Sequence, residues 1–133
     1  MEEADSPDNT IPKIGKYRVL VVDDNIDAAQ GISTLLNIKG YLSDCAFTGK
    51  EAREKMESFS PHAAVLDIGL PDVDGYALAK MFRKENKFKG LLVALTGYGQ
   101  EENKKQAKEA GFDYHLTKPI GVDDLLVVLK ESL

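Results

Sequence analysis

From Tyr17 onward the chain alternates between two hydrophobic rhythms. Short apolar runs occupy 19–22, 41–47, 63–66, 91–95 and 112–116, and the stretches between and after them are 15–25 residues long. The runs read as buried strands, and the helical spacing of the intervening stretches decides that reading over pieces of buried helix. Asn25 is placed to cap a first helix with Ala28, Ile32, Leu35 and Leu36 on one face and Gly40 as its stop. Thr48 caps a second, with Ala52 and Met56 inward and Pro61 as its break; Asp74 caps a third, with Leu78, Met81 and Phe82 inward. A fourth, from about Gln100 to Ala110, has only Ala107 and Ala110 to bury, so it should be the least firmly anchored. The fifth follows Gly121 and aligns Val122, Leu125, Leu126, Leu129 and Leu133.

Five strands alternating with five helices imply right-handed crossovers and a parallel sheet covered on both faces, a doubly wound α/β fold in three layers. Residues 1–16, with Ser6-Pro7, Ile11-Pro12 and scattered acids, read as a flexible tail or linker ahead of one domain at 17–133.

Charge and composition narrow the chemistry. Lys plus Arg number 17 and Asp plus Glu 22, a net charge of −5, which is no electrostatic footprint for nucleic acid or an anionic membrane. Cys45 is the only cysteine, so neither an intramolecular disulfide nor a thiolate metal centre is expected. No apolar run approaches 18 residues and the chain opens Met-Glu-Glu, so the reading is of no membrane insertion, no secretory signal and a cytoplasmic location.

In open parallel sheets the working site lies beyond the carboxyl ends of the strands. Asp23-Asp24-Asn25 follows the first run, Asp67 the third, Thr96-Gly97 the fourth and Thr117-Lys118-Pro119 the fifth; the second ends in uncharged Phe47-Thr48-Gly49. For the four polar ends to converge, the first and third strands must be neighbours and the second must lie at an edge, which gives the order 2-1-3-4-5. Asp23, Asp24 and Asp67 would then crowd together opposite Lys118, and such carboxylates raise one another's pKa unless a cation joins them. An all-oxygen donor set calls for a hard cation, and Mg²⁺ suits carboxylates plus water with positions left for a phosphate. Read alone, Asp23-Asp24 would be acids favoured at a helix N-terminus; Asp67 and Lys118 favour the metal site. Asp72-Val-Asp74-Gly75 lacks the closing Glu of a calcium loop and reads as turn and helix cap.

The strings Val-Leu-Val-Val-Asp-Asp-Asn at 19–25, Val-Leu-Asp-Ile-Gly-Leu-Pro-Asp-Val-Asp-Gly at 65–75, Ala-Leu-Thr-Gly at 94–97 and Gly-Phe-Asp-Tyr-His-Leu-Thr-Lys-Pro at 111–119 together resemble the receiver domain of two-component response regulators and hybrid histidine kinases. The resemblance spans 17–133 and implies a flavodoxin-like fold. It implies that Asp67 is the phosphoacceptor, taking a phosphoryl group from a phosphohistidine on a histidine kinase or phosphotransfer protein. It further implies Mg²⁺ held by Asp24, Asp67 and the backbone carbonyl of Gly69, with Asp23 holding the metal or its waters. Lys118 would pair with the phosphate, Thr96 would swing to meet it, and Lys118-Pro119 would be cis. The readout face would be the fourth helix, fifth strand and fifth helix, where a homodimer could also form. The domain would not be an enzyme beyond assisting its own phosphorylation and dephosphorylation.

His115 departs from the family's usual Tyr or Phe switch, leaving two readings: a partly exposed histidine with no signalling role, or a ring that changes rotamer as Thr96 moves. Gly69 and Tyr98 occupy positions that tune dephosphorylation in the family; a side-chain-free Gly69 and a shielding Tyr98 imply slow self-dephosphorylation. A haloacid-dehalogenase-type phosphohydrolase would need a second Asp where Gly69 stands. A receiver-like scaffold independent of phosphorylation is the other alternative, opposed by the complete set Asp23, Asp24, Asp67, Thr96 and Lys118.

Overall fold

The computed structural model describes residues 17–97 and 104–133. Strands and helices alternate: β1 (Arg18–Val22), α1 (Ile26–Ile38), β2 (Leu42–Ala46), α2 (Gly49–Ser58), β3 (Ala63–Asp67), α3 (Gly75–Lys84), β4 (Leu91–Thr96), α4 (Lys104–Ala110), β5 (Tyr114–Thr117) and α5 (Val122–Ser132). All strand pairs are parallel, in the expected order β2-β1-β3-β4-β5. Residues 1–16 and 98–103, which hold the expected tail, Tyr98 and the first turn of the expected fourth helix, lie outside the described residues.

The sheet divides the core in two because successive strand side chains point to opposite faces. Val19, Val21, Val65 and Val93 meet Ile32 and Leu36 of α1 and Leu125 and Leu129 of α5. Leu20, Val22, Leu66 and Leu92 meet Met56 of α2, Leu78 and Phe82 of α3, and Phe112. β3 and β4 are buried at every position, as strands covered on both faces must be, whereas edge strand β2 opens with an exposed Leu42. Cys45 is buried, the core position expected of it.

Three caps fall where expected. Asn25 Oδ1 accepts from the Ala28 amide at 3.0 Å, Thr48 Oγ1 from Glu51 at 3.0 Å, and Asp74 Oδ1 from Tyr76 at 3.3 Å. Gly40 follows α1 with φ +100°, a conformation that favours glycine. Lys118-Pro119 is cis.

Two local readings need correcting. The buried stripe of α1 is Ala29, Ile32, Ser33 and Leu36, while Leu35 is 39% exposed. The helix is rotated toward β2 because Ser33 and Ser43 hydroxyls bond each other at 2.5 Å and Asn37 Oδ1 accepts from the Ser43 amide at 2.9 Å. The fifth strand begins at Tyr114, not Phe112. Phe112 instead donates its amide to Ala107 O at the end of α4 and fills the core beneath it.

Candidate functional site

The carboxyl ends of β1, β3, β4 and β5 bring the expected residues together. Asp23 follows β1 and is 1% exposed, Asp67 ends β3 at 6%, and Thr96 ends β4 at 4%. Thr96 lies one step beyond Leu95, the register partner of Asp67, and pairs with Thr117, the residue before Lys118. Parallel pairing therefore sets these side chains at one level of the sheet. Asp24 is exposed at the rim.

One cation faces the buried acids. Lys118 Nζ lies 2.9 Å from Asp23 Oδ2 and 3.1 Å from Asp67 Oδ2. The remaining carboxylate oxygens are tied to the local backbone: Asp23 Oδ1 accepts from the Asn25 amide at 3.0 Å, and Asp67 Oδ1 from the Gly69 amide at 2.9 Å. Asp23, Asp24 and Asp67 each offer one oxygen within 4.8 Å of the others. Among the described residues, three carboxylates against one ammonium leave a formal local charge of −2.

Burial is the largest influence on Asp23 and pushes its carboxyl above the usual 3.8, with Asp67 adding to the effect; the Asn25 amide and Lys118 oppose it without cancelling it. Burial likewise pulls the Lys118 ammonium down, but its pairing with Asp23 and Asp67 outweighs that, and it ends above 10.5. The ammonium is therefore favoured by its surroundings and the Asp23 carboxylate is not. Asp23 Oδ2 is buried and, despite its proximity to Lys118, lacks an aligned hydrogen-bond donor. A buried anion with spare lone pairs, in a cluster of oxygen donors, fits a hard divalent cation.

His115 is half-buried on β5 beside Ala94 in register, in a groove it shares with Lys108, Phe112 and Tyr114. It is thus on the same strand as Thr117, two residues before it.

Sequence reasoning missed one neighbour of the site. Asp72, read as part of a turn, reaches the N-terminus of α2: its two oxygens accept from the Gly49 amide, both at 3.0 Å. The two residues are 23 positions apart, so no local pattern announces the contact.

Comparison with known proteins agrees with this geometry. A family model described as the response regulator receiver domain matches residues 19–130. A 14.6 kDa protein encoded in the sodA1 3′ region of Leptolyngbya boryana is 32% identical over 119 residues, covering 89% of this chain and 91% of that one. The transcriptional regulatory protein PmrA of Pectobacterium parmentieri is 34% identical over 108 residues, 81% of this chain but 48% of its own length. The chain spans about half the length of this and several other regulators it matches. Among solved structures, the Francisella response regulator 1452 receiver domain superposes with a TM-score of 0.79 at 33% identity, covering 87% of this chain and 95% of that one.

Proposed function

The chain belongs to the response regulator receiver domain family, and on that premise we propose that it accepts a phosphoryl group from a phosphohistidine onto Asp67 and changes its partner contacts in response. Receiver domains work with histidine kinases or histidine phosphotransfer proteins, and such a protein is the donor in this reading. The observation that carries the proposal is the Lys118 ammonium 3.1 Å from Asp67 Oδ2 and 2.9 Å from Asp23 Oδ2, beside a third carboxylate.

The chemistry follows from what these residues can do. Asp67 supplies the nucleophilic carboxylate oxygen, and its Gly69 hydrogen bond orients the group. The new P–O bond forms as the P–N bond to the donor imidazole breaks, and the bonding pair leaves with the imidazole nitrogen. Lys118, already paired with Asp67, offsets the charge on the incoming phosphoryl oxygens. Mg²⁺, when bound by Asp23, Asp24, Asp67 and the Gly69 carbonyl, supplies the positive charge that lets three carboxylates and a phosphoryl group share the site. Thr96, at the end of the adjacent strand, provides a hydroxyl that turns toward an oxygen of the transferred phosphoryl group. Its movement biases α4, β5 and α5, with His115 on β5 responding to the space Thr96 vacates. The groove beside His115 is the surface through which partner binding changes.

The test is direct. Incubation with Mg²⁺ and acetyl phosphate, followed by intact mass measurement, should add one phosphoryl group to the unsubstituted chain and none to Asp67→Asn. Addition that persists in Asp67→Asn, or that needs no divalent cation, would sink the proposal. Removing Mg²⁺ with a chelator before the donor is added should abolish labelling while leaving the circular dichroism spectrum unchanged.

A further inference from the structure

The segment between Asp67 and α3 is held at more points than a connecting loop needs. Its entrance is tied by Ile68 N donating to Leu95 O at 3.1 Å, and it closes on itself through Gly75 N to Ile68 O at 3.1 Å. A Cβ on Gly75 would lie 2.3 Å from Ile68 Cα, so the ring closes this tightly only with glycine there. The middle of the ring is fixed from outside. Asp72 reaches across to the start of α2, where Gly49 N lies 3.0 Å from both of its oxygens and Lys50 N 3.4 Å from Oδ2. Gly49 admits this approach because a Cβ there would lie 2.3 Å from Val73 Cγ1. The helix's own residues serve other amides: Thr48 accepts from Glu51 N, and Glu51 Oε1 accepts from Phe47 N at 2.8 Å. The Gly49 and Lys50 amides are thus left to Asp72, and the one contact both satisfies the first turn of α2 and gives the loop a fixed position.

We infer that Asp72 is a positioning residue for the Asp67 site: by seating its carboxylate on the N-terminus of α2, it holds the Gly69–Pro71 stretch, and with it the Gly69 carbonyl and the Gly69–Asp67 hydrogen bond, in the metal-receptive arrangement. The inference rests on the phosphoacceptor reading above. A carboxylate suits the task, since the helix end presents free amides and a partial positive charge. Without it, cation binding must itself order the loop, and affinity falls by the fraction of chains already in order.

The experiment compares Asp72→Ala, Asp72→Asn and Thr48→Ala, using Mg²⁺ titration by calorimetry and amide hydrogen exchange in metal-free protein. Loss of a side-chain cap corresponds to about a fivefold to tenfold change in an equilibrium. Asp72→Ala should weaken Mg²⁺ binding by that factor and speed exchange at Gly49, Lys50 and Gly69. Asp72→Asn, which keeps one acceptor oxygen, should fall between it and the unsubstituted chain. Thr48→Ala removes a cap of the same helix without touching the loop, and should leave Mg²⁺ affinity and Gly69 exchange unchanged. Unaltered Gly69 exchange in Asp72→Ala overturns the inference, as does an equal loss of affinity in Thr48→Ala. An unsubstituted chain that binds no Mg²⁺ overturns the underlying reading instead; Gly69 exchange, measured without metal, tells the two failures apart.

Discussion

The two ends of the sheet use charged residues in opposite ways. At the carboxyl end, Asp23 and Asp67 are buried beside each other with Lys118 between them, and one Asp23 oxygen lacks an aligned donor. At the amino end, a strand's length away, roughly 17 Å for five residues, charge is saturated with partners. Arg83 donates to Gly111 O, Phe88 O and Gly90 O and to Asp113 Oδ2, and lies 5.5 Å from the centre of the Phe88 ring. Asp113 Oδ2 also accepts from Leu92 N at 2.9 Å, pinning the start of β4 to the turn before β5. Arg18 donates to Phe59 O and Ser60 O, and its amide donates to His62 Nδ1 at 2.9 Å. Burial with like charges is unfavourable, whereas burial with a full set of acceptors is stabilising. One end thus holds the domain together, and the other keeps its carboxylates crowded around a single ammonium.

The largest test of this contrast is Arg83→Ala. It strands the carbonyls of Phe88, Gly90 and Gly111 and leaves Asp113 without its guanidinium, so a loss of about 3–4 kcal/mol in unfolding free energy is expected. Arg83→Lys should recover only part of it, since one ammonium cannot match a fork that reaches four partners. Urea unfolding measures both, and Mg²⁺ affinity should be unchanged in the folded variants. A loss below about 1 kcal/mol would mean that the amino end is no more a stabilising device than an ordinary surface patch.

A smaller effect of opposite sign is expected at the other end. Asp23→Asn keeps an acceptor for the Asn25 amide while removing one of three crowded carboxylates. Because the folded state disfavours the charged form of Asp23, the neutral side chain should raise the urea midpoint of metal-free protein near neutral pH. The same variant should lose Mg²⁺ affinity. A destabilised Asp23→Asn would show that the Lys118 pairing outweighs the crowding, and the contrast between the ends would collapse.

Both ends were unequally legible in the sequence, for a physical reason. Asp23, Asp67, Thr96 and Lys118 stand directly at the ends of apolar runs, so locating the strands located the site. The order of the sheet followed from asking which strand ends must meet. Arg83, Asp113 and Asp72 carry no such marker, because most of their partners are backbone groups that any residue could supply, and those at Gly111, Leu92 and Gly49 lie 28, 21 and 23 positions away. The misread face of α1 has the same origin: Ser33 is buried only because Ser43, across a turn and on the edge strand, satisfies its hydroxyl. Apolar periodicity reports which residues avoid water. It does not report which polar residues have found a partner.

The mildest test asks which region sets the alkaline limit of the fold. Burial raises the Cys45 thiol above 9.0 and the Tyr41 phenol above 10.0, while the Lys118 ammonium, through Asp23 and Asp67, ends above 10.5. For Cys45 and Tyr41 the unfolded chain ionises first and binds fewer protons than the folded one, so stability falls as pH rises past 9.0 and then past 10.0. The Lys118 contribution is intact below its unfolded value and is lost only as pH climbs through its folded value, above 10.5. The window between pH 9 and pH 10 therefore belongs to the apolar core beneath α1, not to the acidic site. One proton limits the slope there to about 1.4 kcal/mol per pH unit. Urea midpoints measured across that window should decline in the unsubstituted chain and stay level in Cys45→Ala, after allowing for the variant's lower starting stability. An equal decline in both proteins would assign the loss to another group and place the first alkaline weakness outside Cys45.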